Sequence, residues 1–309
     1  MVQWFEKARD IWVEGGQLKS EALLNLTEDF FDALMVVYEN SSEGKKQVVG
    51  SFLHRTGELI ADSGVHITIQ QEAVRKLNMI LGEIPKEDKT QILSSGKLLC
   101  VMNRLGKRIL IGGDYDLQVA ITEALCRMTT GKQRQELADQ WFTMEFVANA
   151  FKGIKDSEFE TDCRKFLNLV NGMLGDRRSV YTYPCLKVFL DEHELLMPAD
   201  DKLQDFWIDF NVGSQSITFY ISPDDNEEEN QWETVSLPED EVEKYLVEEK
   251  DGNNLLRVSM KHPLNVSGKE GSQIQIYFSA ALNIVEAIRN VYGATKAKVS
   301  FTALTFWGH

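Results

Sequence analysis

The chain of 309 residues has few cysteines, and they are not arranged to bind zinc or to form a redox pair. No C-x-x-C motif occurs, and the four thiols lie far apart inside apolar helix or strand patterns: Cys100, Cys126, Cys163 and Cys185. This spacing predicts reduced thiols in the core. The five histidines lack H-E-x-x-H and i, i+4 spacing, so we expect neither a bound metal nor another cofactor.

Signatures of common catalytic sites are missing as well. Neither Gly44-Lys45 nor Gly96-Lys97 has the upstream glycine and the following Ser or Thr of a phosphate-binding loop. No G-x-S-x-G turn is present to expose a serine nucleophile. The sequence therefore predicts a protein without enzymatic activity.

Long apolar runs and a positive charge balance are also absent. No uninterrupted apolar run reaches the roughly 20 residues of a membrane-spanning helix, and without a secretory signal we expect cytosol or nucleus. The net charge is -15, and residues 176–309 hold 23 acidic residues against 12 basic ones. Since nucleic acids and membrane surfaces are anionic, this excess argues against direct binding to either and favours a basic protein partner.

Helical periodicity dominates residues 1–175. Eight apolar-periodic stretches, separated by short polar or Gly-containing breaks, are typical of helices. They cover Val2–Val13, Lys19–Tyr38, Lys45–Ala61, Ile69–Leu81, Lys86–Leu105, Leu117–Met128, Arg134–Phe151 and Glu158–Leu174. Because helices that recur about every 40 residues bury their apolar faces against neighbouring repeats, we predict an armadillo- or HEAT-like helical-repeat domain over 1–175.

In residues 176–309 the apolar residues recur with a different period, one typical of strands. Short β-branched or aromatic segments, often alternating, predict strands. They cover Val180–Tyr183, Cys185–Leu190, Phe206–Phe210, Ser216–Ile221, Trp232–Val235, Leu255–Met260, Gln273–Phe278 and Lys298–Leu304. Helical spacing predicts one amphipathic helix over Ala280–Tyr292 and a short one over Glu239–Val247. Together these elements predict a pleckstrin-homology-like β-barrel domain with a capping helix.

Two clusters of charge are candidate protein-binding sites. The first is an acidic run that is expected in an exposed hairpin loop and suits a basic tail: Asp224, Asp225, Glu227, Glu228 and Glu229. The second is a basic cluster at one helix and its end, suited to an acidic peptide or to phosphates: Lys97, Arg104, Lys107 and Arg108. The alternatives are a solvated loop and an ordinary polar helix face.

Several long runs resemble a known family. They are 44–49 (GKKQVV), 113–119 (GDYDLQV), 123–130 (EALCRMTT), 132–138 (KQRQELA), 156–164 (DSEFETDCR), 166–176 (FLNLVNGMLGD) and 206–211 (FWIDFN). With these runs the chain closely resembles the N-terminal region of the synaptonemal complex protein 2 family, nearest to the paralogue called synaptonemal complex protein 2-like.

The resemblance implies an armadillo-like domain followed by a pleckstrin-homology-like domain similar to the middle domain of a histone chaperone. It further implies a scaffold without catalytic residues, in the nucleus at the axis and centromeres of meiotic chromosomes. The implied partners are centromere-associated proteins and other synaptonemal complex or axis proteins. It also implies that the chain is a fragment, shortened at its start, with the family's HORMA-binding and coiled-coil segments downstream.

Two other functions stay open at this stage. The acidic β domain is a candidate histone-binding module, as its resemblance to a chaperone domain suggests. Barrels of the pleckstrin-homology type also bind lipid headgroups, but the net charge of -11 in residues 176–309 opposes an anionic membrane.

Overall fold

The computed structural model describes residues 1–85, 89, 95–223 and 232–298. The chain divides into two compact units, Met1–Arg178 and Ser179–His309. The first unit is helical and the second is built mainly of antiparallel strands. The predicted order of a helical domain followed by a β domain is therefore confirmed.

The described residues of the helical unit form nine α-helices, most of which pack against their sequence neighbours. They are α1 Val2–Gly15, α2 Glu21–Asn40, α3 Ser42–Ile60, α4 Ile67–Glu83, α5 Gly96–Leu110, α6 Tyr115–Met128, α7 Gly131–Trp141, α8 Glu145–Lys152 and α9 Phe159–Met173.

Side-chain caps determine where several of these helices begin. The Asp114 carboxylate accepts a hydrogen bond of 2.9 Å from the Leu117 amide at the start of α6. At α7, the Thr130 hydroxyl accepts from the Gln133 amide, while the Gln133 side chain accepts from the Thr130 amide. These bonds satisfy amides that the first helical turn leaves unpaired.

Two clusters of buried aromatic rings hold the helices together. In the first, ring centroids lie 5.4–6.4 Å apart between α1, α2 and α3; in the second, they lie 5.4–5.5 Å apart around α7, α8 and α9. The members are Phe5, Trp12, Phe30, Phe31 and Phe52 in the first, and Trp141, Phe142, Phe151 and Phe166 in the second. Most of these pairs are edge to face, an arrangement that adds stability beyond the area buried.

The predicted single helix over Arg134–Phe151 is wrong, because the chain breaks there into α7 and α8. Phe142 is extended, with φ -120° and ψ 113°. The break lets Trp141 and Phe142 both contact Phe151, and burying these rings offsets the helical hydrogen bonds lost. Of the predicted helix Lys86–Leu105, residues 86–88 and 90–94 lie outside the described residues, and α5 covers the part from Gly96 onward.

The β unit contains nine described strands in two antiparallel sheets. The strands are β1 Val180–Cys185, β2 Lys187–Leu190, β3 His193–Leu195, β4 Phe206–Asn211, β5 Ser216–Ile221, β6 Glu233–Pro238, β7 Val242–Lys250, β8 Asn253–Val266 and β9 Lys269–Ser279. The four-stranded sheet has the order β1-β4-β5-β6, and the five-stranded sheet has the order β3-β2-β9-β8-β7.

The prediction of a closed barrel is wrong for the described strands, because consecutive strands enter different sheets. β1 pairs with β4, whereas β2 pairs with β3 and β9. The change occurs at Leu186, whose amide already donates to the Tyr277 carbonyl of the five-stranded sheet at 2.7 Å. The result is two sheets around a common core rather than one continuous cylinder.

One helix, α10 (Ile284–Tyr292), follows β9 and contributes to this core. Ile284, Ala287 and Ile288 are fully buried, and the Tyr292 hydroxyl donates to the Leu237 carbonyl at 2.6 Å. The amphipathic helix expected over Ala280–Tyr292 is thus present, beginning four residues later.

Two smaller predictions in this unit have different outcomes. The short helix predicted over Glu239–Val247 is wrong: a single 3-10 turn, Glu239–Glu241, leads directly into β7. The predicted strand Lys298–Leu304 lies outside the described residues except for Lys298.

Candidate interaction surfaces

The acidic run proposed as a docking loop lies in the chain between β5 and β6. Asp224, Asp225, Glu227, Glu228 and Glu229 all fall outside the described residues. The run therefore stays a prediction from the sequence.

The basic cluster lies on α5, and three of its four members share one exposed face. Lys97, Arg104 and Lys107 are exposed and spaced by seven and three residues, which places them along one side of a helix. Cys100 lies on the same side and is exposed. We call Lys97, Arg104 and Lys107 the α5 basic stripe.

The fourth member, Arg108, is buried and does not belong to that stripe. Its guanidinium donates to Gln70 Oε1 at 2.8 Å and to the Ile111 carbonyl at 2.7 Å, and its exposed fraction is 8%. Burial lowers the pKa of Arg108, partly countered by Asp62. Arg108 thus joins α4 to the end of α5, and its assignment to an exposed site is corrected.

The cations of the α5 basic stripe have no ion-pair partner among the described residues. Several other cations of the helical unit are paired along or between helices, as in Lys45–Glu83, Arg127–Glu123 and Lys152–Asp139. The stripe differs from the scattered exposed lysines of the unit in that its three cations lie along one side of a single helix. Because no described carboxylate pairs with this row of exposed cations, their charge is available to another molecule.

A groove of about 740 Å³ lies beside the stripe, between α2, α3 and the start of α5. Its floor is apolar and includes Leu53 and Leu98, and its rim carries Lys45 paired with Glu83 at 3.0 Å. His54 also lines it. Burial is the main cause that lowers the pKa of His54, and the positive charges of Arg55 and Lys97 lower it further.

The remaining reactive groups in the described part of the chain form no metal-binding cluster. No group of three or more His, Cys, Asp or Glu side chains there could hold a metal ion. Burial raises the pKa of Cys126 and Cys185 to about 12 and that of Cys163 well above its ordinary value, so all three stay protonated. Cys100, expected in the core, is exposed instead. None of the described helices has the length and apolar composition to cross a membrane.

Both units match models of known domain families. Residues 1–88 match the synaptonemal complex 2 armadillo-repeat-like domain, and residues 180–294 match the synaptonemal complex 2 Spt16M-like domain. The armadillo-like character predicted for the helical unit is therefore confirmed.

Individual relatives match along nearly the whole chain. Human synaptonemal complex protein 2 is 53% identical over 300 residues, which are 97% of this chain and 19% of that protein. Mouse synaptonemal complex protein 2-like is 44% identical over 302 residues, 97% of this chain and 35% of that protein. The chain thus spans between about a fifth and about a third of the length of these relatives.

A solved structure described as a synaptonemal complex protein has the same fold. It superposes with a TM-score of 0.85 at 46% identity, covering 96% of this chain and 73% of that one. The identities above are higher for protein 2 than for protein 2-like and do not support the predicted nearness to the 2-like paralogue. At the level of the family, sequence, domains and structure agree: the chain belongs to the synaptonemal complex protein 2 family.

Proposed function

We propose that this chain is a non-enzymatic protein-interaction module of the synaptonemal complex, acting in the nucleus at the axis of meiotic chromosomes. Its family membership supports the setting, since its relatives are named for that complex. The observation that carries the interaction role is the α5 basic stripe, three exposed cations in a row with no ion-pair partner among the described residues.

The chemistry of the stripe selects an acidic protein segment as its partner. Lys97 and Lys107 supply ammonium groups and Arg104 supplies a guanidinium that can bind a carboxylate with two parallel hydrogen bonds. Exposed charges of this kind contribute more to the rate and specificity of association than to raw affinity. The finer proposal is that the partner is a centromere-associated or axis protein, and that no cofactor takes part.

A second candidate function is histone binding by the β unit. Two observations favour it: the matching family model is described as Spt16M-like, and Ser179–His309 contains 22 acidic residues against ten basic ones. The acidic run from Asp224 to Glu229 supplies five of those 22 acidic residues. We also propose that the two-sheet unit with its C-terminal helix is pleckstrin-homology-like in arrangement.

The test is affinity capture from meiotic nuclear extract with three forms of the purified chain. The first form is the wild type, and the second, the stripe variant, carries Lys97→Glu, Arg104→Glu and Lys107→Glu. Quantitative mass spectrometry identifies the proteins that each form retains. We expect the wild type to enrich axis and centromere-associated proteins. For at least one of these proteins, the stripe variant should retain no more than about a tenth of the amount that the wild type retains, because three attractive contacts become repulsive.

The third form is the matched control, which carries Lys7→Glu, Lys132→Glu and Lys165→Glu on other exposed surfaces of the helical unit. It changes the net charge equally and should retain the partner. Equal capture by all three forms would remove the stripe as the docking face. Recovery of histones by all three, without axis proteins, would favour the second function.

A further inference from the structure

The outward face of the five-stranded sheet collects basic and aromatic side chains. Side chains alternate between the two faces of a strand, and directly paired residues point to the same side. The register places Lys187 beside Tyr277, Phe189 beside Gln275, and Gln275 beside Arg257. The intervening residues, such as Val188, Ile276 and Leu256, are buried in the core, so the first set faces outward.

Half of the cations in this acidic unit lie on that face. Ser179–His309 contains ten Lys and Arg residues. Five of them are brought together here by strand register, ring contacts or a shared cleft: Lys187, Lys244, Lys250, Arg257 and Lys298. The register adds Glu194 and Glu248 as carboxylates on the face. Glu248 pairs with Arg257 at 2.9 Å, and Lys244 pairs with the neighbouring Glu243 at 3.3 Å. We call this surface the basic sheet face.

At one end of the face, two lysines are held against an aromatic pair. The Lys187 Nζ atom lies 4.5 Å from the ring centroid of Tyr277 and 5.4 Å from that of Phe189. The Lys250 Nζ atom lies 5.9 Å from the Tyr277 centroid and 3.5 Å from its hydroxyl. Neither lysine has a carboxylate partner among the described residues. Cation–π contacts therefore restrain both ammonium groups while their charge stays available.

At the other end, a cleft of about 230 Å³ continues the positive surface. Its lining includes three cations, Lys244, Arg257 and Lys298, one carboxylate, Glu248, and the polar side chains of Ser259 and Gln273. The cleft offers hydrogen-bond donors in addition to charge. The two ends lie along the strands: Lys244 and Lys250 are six residues apart on β7, about 20 Å, which is the length of about six residues of extended peptide.

We propose that the basic sheet face binds an acidic, extended peptide segment of a partner protein. The carboxylates of such a segment would pair with Lys187 and Lys250 at one end and reach the cleft at the other. This site is on the β unit and does not depend on the α5 basic stripe. It is distinct from histone binding as well, because a basic tail would be repelled here.

The arrangement favours a peptide over a single nucleic-acid strand. Single strands bind by stacking bases on open aromatic rings. Here the Tyr277 and Phe189 rings pack edge to face, with centroids 6.1 Å apart, and Lys187 lies close to both. A base would have to displace the lysine, whereas a carboxylate only has to approach it.

The acidic charge of the rest of the unit does not prevent this binding at physiological salt. Exposed charges farther apart than a Debye length, about 8 Å at physiological ionic strength, are largely screened from each other. A carboxylate on the face is therefore attracted mainly by the nearby lysines. Raising the salt concentration should weaken the binding.

The test uses the purified chain and a fluorescently labelled 12-residue peptide of alternating Glu and Ser, with a Gln and Ser peptide as the neutral probe. Anisotropy at physiological ionic strength measures the affinity. We expect the acidic peptide to bind, and the variant Lys187→Gln with Lys250→Gln to bind it about tenfold more weakly. The matched control, Lys202→Gln with Arg289→Gln, removes the same charge from exposed positions elsewhere and should change the affinity less than twofold.

A further variant separates an organised site from diffuse attraction. Tyr277→Leu leaves every charge in place but removes the ring that restrains both lysines, and it should weaken binding about threefold. Circular dichroism and thermal melting of each variant check that it folds. Equal affinity for the two peptides, or equal losses in the lysine variant and its control, would overturn the proposal. Tighter binding of a 12-nucleotide poly-dT strand, lost with the same lysines, would overturn the choice of a peptide.

Discussion

Single residues of the helical unit show how buried cations are held by backbone carbonyls. The Arg134 guanidinium, 5% exposed, donates to the Ile154 carbonyl at 2.7 Å, to the Cys126 carbonyl at 3.2 Å and to the Asp156 carboxylate at 3.0 Å. It thereby joins the end of α6 to the segment after α8. The Asp156 side chain is 77% exposed, so the carbonyl bonds matter more than the ion pair.

This difference gives a prediction for two variants. Arg134→Ala removes the side-chain donor of the Ile154 carbonyl and leaves the Cys126 carbonyl with only the Thr129 amide, so it should lower the free energy of unfolding by about 2–4 kcal/mol. Asp156→Ala removes only an exposed charge and should cost less than about 1 kcal/mol. Urea denaturation of both variants measures the two costs. Equal costs would mean that the ion pair, and not the carbonyl bonds, provides the stability.

His66 links the stability of the helical unit to pH. Its Nδ1 atom accepts a hydrogen bond from the Thr68 amide at 3.3 Å at the start of α4, which requires a neutral ring. Burial is the main cause that lowers the pKa of His66, and Lys19 lowers it further. The unfolded chain therefore binds a proton at a higher pH than the folded chain, and stability falls as the pH drops below the unfolded value of about 6.5.

We expect His66→Asn to reduce this pH dependence, because Asn can cap the helix and does not titrate. The measurement is the free energy of unfolding at about pH 7.5 and about pH 5.5 for both proteins. His54, whose pKa is also lowered, keeps part of the dependence in the variant. An unchanged difference between the two pH values would show that His66 does not contribute.

The position of Arg108 could have been predicted from its helix. Leu98, Val101, Leu105 and Arg108 recur every three or four residues and form the buried side of α5. The run of charges along the sequence groups Arg108 with its exposed neighbours, whereas the helical spacing of α5 puts it on the buried side, apart from Lys97, Arg104 and Lys107. Its partner Gln70 lies on α4, and that contact could not be predicted without the tertiary structure.

At the scale of elements, a glycine sets how closely α5 approaches α7. A Cβ atom on Gly106 would lie 2.8 Å from Trp141 Cβ and 2.9 Å from Trp141 Cγ, closer than van der Waals contact allows. A Cβ atom on Gly50, inside α3, would meet no atom of the described residues within 4 Å. The two positions form a matched pair of helical glycines with opposite surroundings.

Gly106→Ala should therefore destabilise the protein by about 1–3 kcal/mol, because the helices must separate to relieve the overlap. Gly50→Ala should stabilise it by about 0.5–1 kcal/mol through the better helix propensity of alanine. Thermal and chemical denaturation give both values. A stabilising Gly106→Ala would show that the α5–α7 contact is looser than the structure has it.

The wrong helix prediction over Glu239–Val247 has a physical cause in strand β7. Val242 and Tyr245 are both buried although they are three residues apart, a spacing typical of a helix. The register with β8 shifts between Val242 and Lys244, as at a β-bulge. One extra residue changes the alternation locally and turns both side chains inward.

This irregularity also explains why the basic sheet face was not found from the sequence. Its cations come from β2, β7, β8 and the segment after α10, and β7 was assigned to a helix. The α5 basic stripe, by contrast, lies within one helix, where spacing alone places Lys97, Arg104 and Lys107 on the same side. Sites within one element can be predicted from the sequence, whereas sites across a sheet depend on register.

At the scale of the whole molecule, the two units divide the charge unequally. The helical unit is close to neutral and presents a basic stripe, while the β unit is strongly acidic and presents one basic face. Binding partners of opposite charge can therefore be accommodated on different surfaces of one chain. That arrangement fits the proposed interaction role.

The measurement that tests the central claim most directly is localisation of the tagged chain on spread chromosomes of meiotic cells. We predict that the wild type and the Lys7, Lys132 and Lys165 variant follow the chromosome axis, and that the Lys97, Arg104 and Lys107 variant is dispersed in the nucleus at equal abundance. Dispersed wild-type protein would contradict a recruiting role for this part of the family. Axis localisation of all three forms would contradict the α5 basic stripe as the surface that binds there.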